Sequence, residues 1–88
     1  MITQQQLSEI SDFVSTQRIG PGLPLELREK FSGVHFTVCM DDDVVSADPV
    51  LEQEEFNLYL IDSSNHCLSF TQDFELATGV VVAEREDD

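Results

Sequence analysis

Positive charge is the scarcest commodity in this sequence. Its 88 residues carry eighteen Asp and Glu against four Lys and Arg, a formal net charge of −14. Between Phe31 and Glu84 there are eleven acidic side chains and no Lys or Arg at all. A field of this sign repels phosphate, which argues against DNA, RNA and anionic membranes as partners. It favours solubility and attraction to basic protein patches or cations. Tryptophan is absent, and no apolar run approaches the ~20 residues that span a bilayer. The opening MITQQQLSEI has neither the basic nor the apolar stretch of a signal peptide, so a cytoplasmic protein is expected. No CxxC occurs, and no glycine-rich loop is available to cradle a phosphate. The two cysteines, Cys39 and Cys67, lie 28 positions apart inside apolar runs. In a reducing compartment they are expected as free thiols behaving like small hydrophobes, with no disulfide.

What is present is enough for one modest core. Hydrophobic residues make up 41 % of the chain, six of them Phe, so residues 1–88 are expected to form a single domain. Thr3 and Gln6 have the spacing of a capping box, with Ile2 and Leu7 placed to close a hydrophobic staple. Leu7, Ile10, Phe13 and Val14 then repeat at helical spacing, which predicts a helix from about Gln4 to Gln17. Gly20-Pro21-Gly22 stops it. A second, shorter helix opens at Pro24, with Leu27 and Phe31 on one face. Glu26 near its start and Arg28 and Lys30 near its end suit the helix dipole, and Gly33 terminates it. The helical part is thus 3–32.

After Gly33 the apolar period changes from 3.6 to 2. Val34, Phe36, Val38 and Met40 mark a first strand, Phe56, Leu58 and Leu60 a second, Cys67–Thr71 a third and Val80–Ala83 a fourth. Asp62-Ser63-Ser64-Asn65 is turn chemistry that makes the middle pair antiparallel. Asp73 is placed to cap a short helical turn before Gly79. The expected fold is α+β: two N-terminal helices packed on a small, mainly antiparallel sheet of about four strands, residues 34–83. Phe36, Leu58, Leu68 and Phe70 belong to the predicted core. Residues 84–88 read as a frayed tail. Residues 41–55 form an acidic connection with seven carboxylates, longer than the usual link between elements, and are a candidate functional loop.

Several constellations invite chemistry. In an EF-hand frame from Asp41, Asp43 and Glu52 fall on ligand positions, but the fifth position is Val45 and the glycine position is Ser46. A solvated acidic loop is the better reading. His35, Cys39, His66 and Cys67 are zinc-type ligands. Four residues along a strand separate the first two by roughly 13 Å, too far to share an ion. Adjacent His66 and Cys67 point to opposite faces. A Cys39–His66 nucleophile pair lacks the cationic setting that lowers a thiol pKa. Arg18, Arg28 and Lys30 are the only local positive cluster, and pairing with Glu26 and Glu29 accounts for them. No catalytic residue, metal ligand or cofactor site is assigned.

Five stretches carry a resemblance: Gly33–Cys39, Asp41-Asp42-Asp43, Phe56–Leu60, His66-Cys67-Leu68-Ser69 and Ala77-Thr78-Gly79. In wording and order, residues 31–84 resemble a small acidic bacterial family encoded among nitrogen-fixation genes, with which the resemblance also groups a nitrogenase-associated accessory factor. It implies a cytosolic accessory protein that docks on a larger complex, nitrogenase or its assembly machinery. It brings no active site. The expected function is therefore non-enzymatic protein binding, steered to a basic patch by Asp41, Asp42, Asp43, Glu52, Glu54 and Glu55, with apolar docking near Val50, Leu51 and Tyr59. The alternative is a cation-binding or metal-handling protein using residues 41–55.

Overall fold

The computed structural model describes residues 2–17, 20, 22–44, 47–63 and 69–85. Thr3 caps the first helix, α1 (Gln4–Thr16): its Oγ1 accepts from the Gln6 N–H at 3.0 Å, and Gln6 Oε1 accepts from the Thr3 N–H at 2.9 Å. Two end-of-helix N–H groups are satisfied this way. Ile2, just before the cap, is buried with Leu7, as a staple requires. The second helix, α2 (Leu23–Lys30), has Pro24 in its first turn. Phe31 caps its end and stacks edge-on with Phe13 at 6.3 Å and against Phe36 at 6.2 Å. Those three rings join both helices to the sheet.

Five strands are described: β1 (His35–Met40), β2 (Leu51–Glu52), β3 (Phe56–Asp62), β4 (Ser69–Thr71) and β5 (Gly79–Glu84). Their order is β1-β5-β3-β2, with β4 sharing the outer edge of β3 with β2. The expectation of a mainly antiparallel sheet of about four strands is roughly right, since three of the four described pairings are antiparallel, but the sheet is mixed and has five described strands. β1 runs parallel to β5, in register from His35↔Gly79 to Met40↔Glu84. β5 and β3 are antiparallel. The parallel ladder starts on a close approach. A Cβ at Gly79 would lie 2.7 Å from the His35 carbonyl oxygen, so glycine is the residue that fits. The fifth strand comes from inside the predicted acidic loop, and that loop starts with a 3-10 turn, Asp41–Asp43. Helical structure therefore does not end with α2.

One sheet face carries the main core. Leu7, Ile10 and Val14 of α1 and Leu23 and Leu27 of α2 are buried with Phe36, Phe56, Leu58, Leu60, Val80 and Val82. Phe70, expected in this core, is instead 44 % exposed, and Leu68 lies outside the described residues. The opposite face also carries a cluster. Tyr59, Ile61, Val81 and Ala83 are buried under Cys39, Val44 and Ala47. The chain leaving β1 thus crosses the back of the sheet to reach β2 on the far side. Central strands covered on both faces need apolar residues at every position, which explains Val80-Val81-Val82-Ala83. The expected frayed tail is partly tied down. Glu84 ends β5, the Arg85 N–H donates to Glu55 O at 2.8 Å, and Arg85 Nη1 donates to Gln53 O at 2.9 Å.

Candidate functional site

The Asp41–Asp43 turn folds back over the second face, and its three carboxylates have different fates. Asp41 Oδ1 accepts from Tyr59 Oη at 2.9 Å and from Asn57 Nδ2 at 3.0 Å. Asp42 and Asp43 are exposed. Tyr59, expected as a docking residue, is only 5 % exposed, its ring edge-on to Phe70 at 5.7 Å. It is a support for the Asp41 turn and not a contact surface. Asn57 is 7 % exposed, and its Oδ1 is buried with no hydrogen-bond partner, so the amide is satisfied on its donor side through Asp41 alone.

Of the remaining expected site residues, only Glu52 lies on the sheet face that the Asp41–Asp43 turn covers. Val50 and Leu51 are half-buried against the main core. They hold β2 in place, the Val50 N–H donating to Leu58 O at 2.9 Å. Glu52 is exposed opposite Asn57, on the side of the sheet that Asp41 covers. Glu54 and Glu55 are exposed beside a depression lined by Ser15, Gln53 and Phe56 near the end of α1. Gln53 Nε2 anchors this turn by donating to Ser11 Oγ at 3.0 Å. The predicted surface is therefore split between the two faces of the sheet.

What the structure does assemble is a groove of about 280 Å³ on the second face, lined by Thr37, Cys39, Asp43, Val44, Phe70 and Val81 among others. Strand alternation turns Thr37, Cys39 and Val81 to this face. Burial, then the negative charges of Asp43 and Asp41, push the Cys39 thiol up. Burial, the hydrogen bond to Asp41 and its charge push the Tyr59 phenol up, partly offset by Asn57. The groove lining is largely apolar, with the Asp43 side chain in its wall and Asp42 exposed next to it in sequence. Sequence reasoning placed Phe70 in the core and did not find Thr37 or Asn57. The short polar-flanked run Ser69-Phe70-Thr71 was the only local sign that Phe70 sits at a margin.

Among the described residues, no three His, Cys, Asp or Glu side chains converge in a way that could hold a metal ion. Val45, Ser46, Arg18, His66 and Cys67, which entered the calcium, basic-cluster, zinc and thiol readings, lie outside the described residues. Lys30 Nζ sits 5.3 Å over the Phe13 ring. Among the described residues, no helix is long and apolar enough to cross a membrane. No curated protein and no solved structure matches this chain. A model of a family of unknown function, DUF6129, matches residues 14–85, which is most of its length, and the chain belongs to that family.

Proposed function

We propose that this chain is a non-enzymatic accessory factor that binds a basic surface on a larger protein complex. The observation that carries the reading is the groove on the second sheet face. It is a largely apolar concavity with Asp43 in its wall and Asp42 next to it, on a chain of net charge −14. Charge of one sign steers encounter with a surface of the other, while an apolar recess supplies the anchor that slows release. Cys39, Val44 and Phe70 take the anchoring role that the sequence assigned to Val50, Leu51 and Tyr59. The resemblance supplies the identity of the complex, nitrogenase or its assembly machinery, and a cytoplasmic setting.

Titration of the protein into purified nitrogenase components tests this. Association is expected at low ionic strength and is expected to slow steeply as salt screens it. Replacing Asp42 and Asp43 with Asn is expected to lower the association rate. Replacing Phe70 with Ser is expected to raise the dissociation rate. An interaction indifferent to salt and to both substitutions removes the reading, and absence of association with any nitrogenase component removes that choice of complex.

A further inference from the structure

Among the described residues no strand lies beyond β1, so one side of His35–Met40 is an unpaired sheet edge. The hydrogen bonds fix which residues face outward. The His35 N–H donates to Thr78 O at 3.1 Å, toward β5. In a parallel ladder each residue turns its N–H and C=O the same way and its neighbour turns them the other way. Thr37 and Cys39 therefore follow His35 inward, Phe36 and Val38 present both groups outward, and Met40 presents its N–H while its C=O, at the N-cap of the Asp41–Asp43 turn, accepts the first bond of that turn. Edge strands of stable proteins are normally blunted by charge, proline, a bulge or shortness. β2 and β4 at the opposite edge have two and three residues. β1 has six, with no Lys, Arg, Asp, Glu or Pro among them, and pairs with β5 without interruption.

We infer that β1 is the site where a partner's extended basic segment adds to the sheet. The proposal rests on the binding role given above and names the form in which the partner arrives. Three features meet at this edge. The outward backbone groups supply a ladder, as in other strand-addition complexes. The groove begins at Thr37 and Cys39 on β1, so alternate side chains of an added strand fall over its open end. Asp42 and Asp43, both exposed, follow Met40 by two and three residues and put carboxylates near the end of the ladder. A second copy as occupant would bring −14 against −14. A lysine- or arginine-bearing strand meets charge of opposite sign.

The test uses the whole protein and a peptide of about ten residues alternating valine and lysine, enough to cover the six residues of β1. Backbone amide exchange is read residue by residue. Binding at low salt is expected to slow exchange at Phe36, Val38 and Met40 by tenfold or more, and to leave His35, Thr37 and Cys39 unchanged. A peptide N-methylated on the edge that faces β1, and one with glutamate for lysine, are expected not to bind. Met40→Pro removes one outward N–H at a backbone already at φ −86°, ψ 147°. It is expected to weaken binding about tenfold while the melting midpoint holds. Binding that protects other amides and spares β1 overturns the strand-addition proposal and leaves the accessory role intact. Failure of basic peptide and nitrogenase alike removes both. Concentration-dependent self-association that protects the same three amides makes a second copy the occupant and overturns the basic partner.

Discussion

Asp41 and Asp42 are adjacent, identical in chemistry and opposite in consequence, which makes them a matched pair for experiment. Asp41→Ala removes the acceptor shared by Tyr59 Oη and Asn57 Nδ2. Both residues are buried, and Asn57 Oδ1 is already without a partner, so the substitution takes away the acceptor of the Asn57 amide N–H. An orphaned buried donor costs about 1–3 kcal/mol. Two of them, with some relaxation of a turn at the surface, cost about 2–4 kcal/mol. Asp42→Ala, at an exposed position, relieves the same unit of self-repulsion and breaks no described hydrogen bond, so it should stay within about 0.5 kcal/mol of the parent. A domain of this size shifts its midpoint roughly 4–8 °C per kcal/mol. Asp41→Ala is therefore expected to melt about 8–32 °C below Asp42→Ala. Tyr59 is the only Tyr in a chain without Trp, so its own fluorescence follows the transition of the two alanine variants, and far-ultraviolet circular dichroism follows the variants that lack it. Combining Asp41→Ala with Tyr59→Phe should show a coupling of about 0.5–3 kcal/mol. Midpoints within about 2 °C of each other for the two alanine variants, or a coupling near zero, would refute the argument that Asp41 holds the second face together.

Three further outcomes follow from the same geometry. Gly79→Ala should destabilise by roughly 1–3 kcal/mol in urea melts, because the new methyl group meets the His35 carbonyl oxygen at 2.7 Å; an unchanged midpoint would mean the β1–β5 approach is looser than described. In a Cys67→Ser background, Cys39 should be alkylated more slowly at pH 8 than a free thiol, since burial and the two aspartates raise its pKa and shrink the thiolate fraction; Asp43→Asn should speed the reaction. The Tyr59 pKa is raised in the folded state above its ordinary value of 10.0, so the unfolded chain releases that proton first. Its contribution to stability is complete below pH 10 and is lost as pH rises through the folded pKa; the stability–pH curve should fall there for the parent and less for Tyr59→Phe.

Local signals in this sequence were readable where the interactions are local. The Thr3–Gln6 box and the Ile2–Leu7 staple involve neighbours on one turn, and both are formed. The period of two at Phe56, Leu58 and Leu60 gave the face that the helices cover. Burial of Tyr59 and Ile61 on the other face depends on a crossing segment that no short window contains. The uninterrupted Leu58-Tyr59-Leu60-Ile61 and Val80-Val81-Val82-Ala83 runs were the available hint of two-sided cover. The parallel β1–β5 pairing joins residues 44 positions apart, His35 to Gly79, and its direction is set by the route of the whole chain. Among Asp41, Asp42 and Asp43 the sequence offers three equal candidates. Only the reach of the folded turn selects Asp41 as the structural one and leaves the others to solvent. The groove is harder still to read, because four strands and the crossing segment each contribute part of its wall.

The middle of this sheet is also its final strand in chain order. β5 supplies the ladder for both β1 and β3, yet no other strand is described after it. Until residues 79–84 have left the ribosome, His35–Met40 and Phe56–Asp62 have no common neighbour, and both wait with apolar faces uncovered. Assembly during synthesis therefore waits for β5 and is then cooperative, and a transcript or proteolytic product that stops short of Gly79 yields an aggregation-prone chain in place of a smaller working domain.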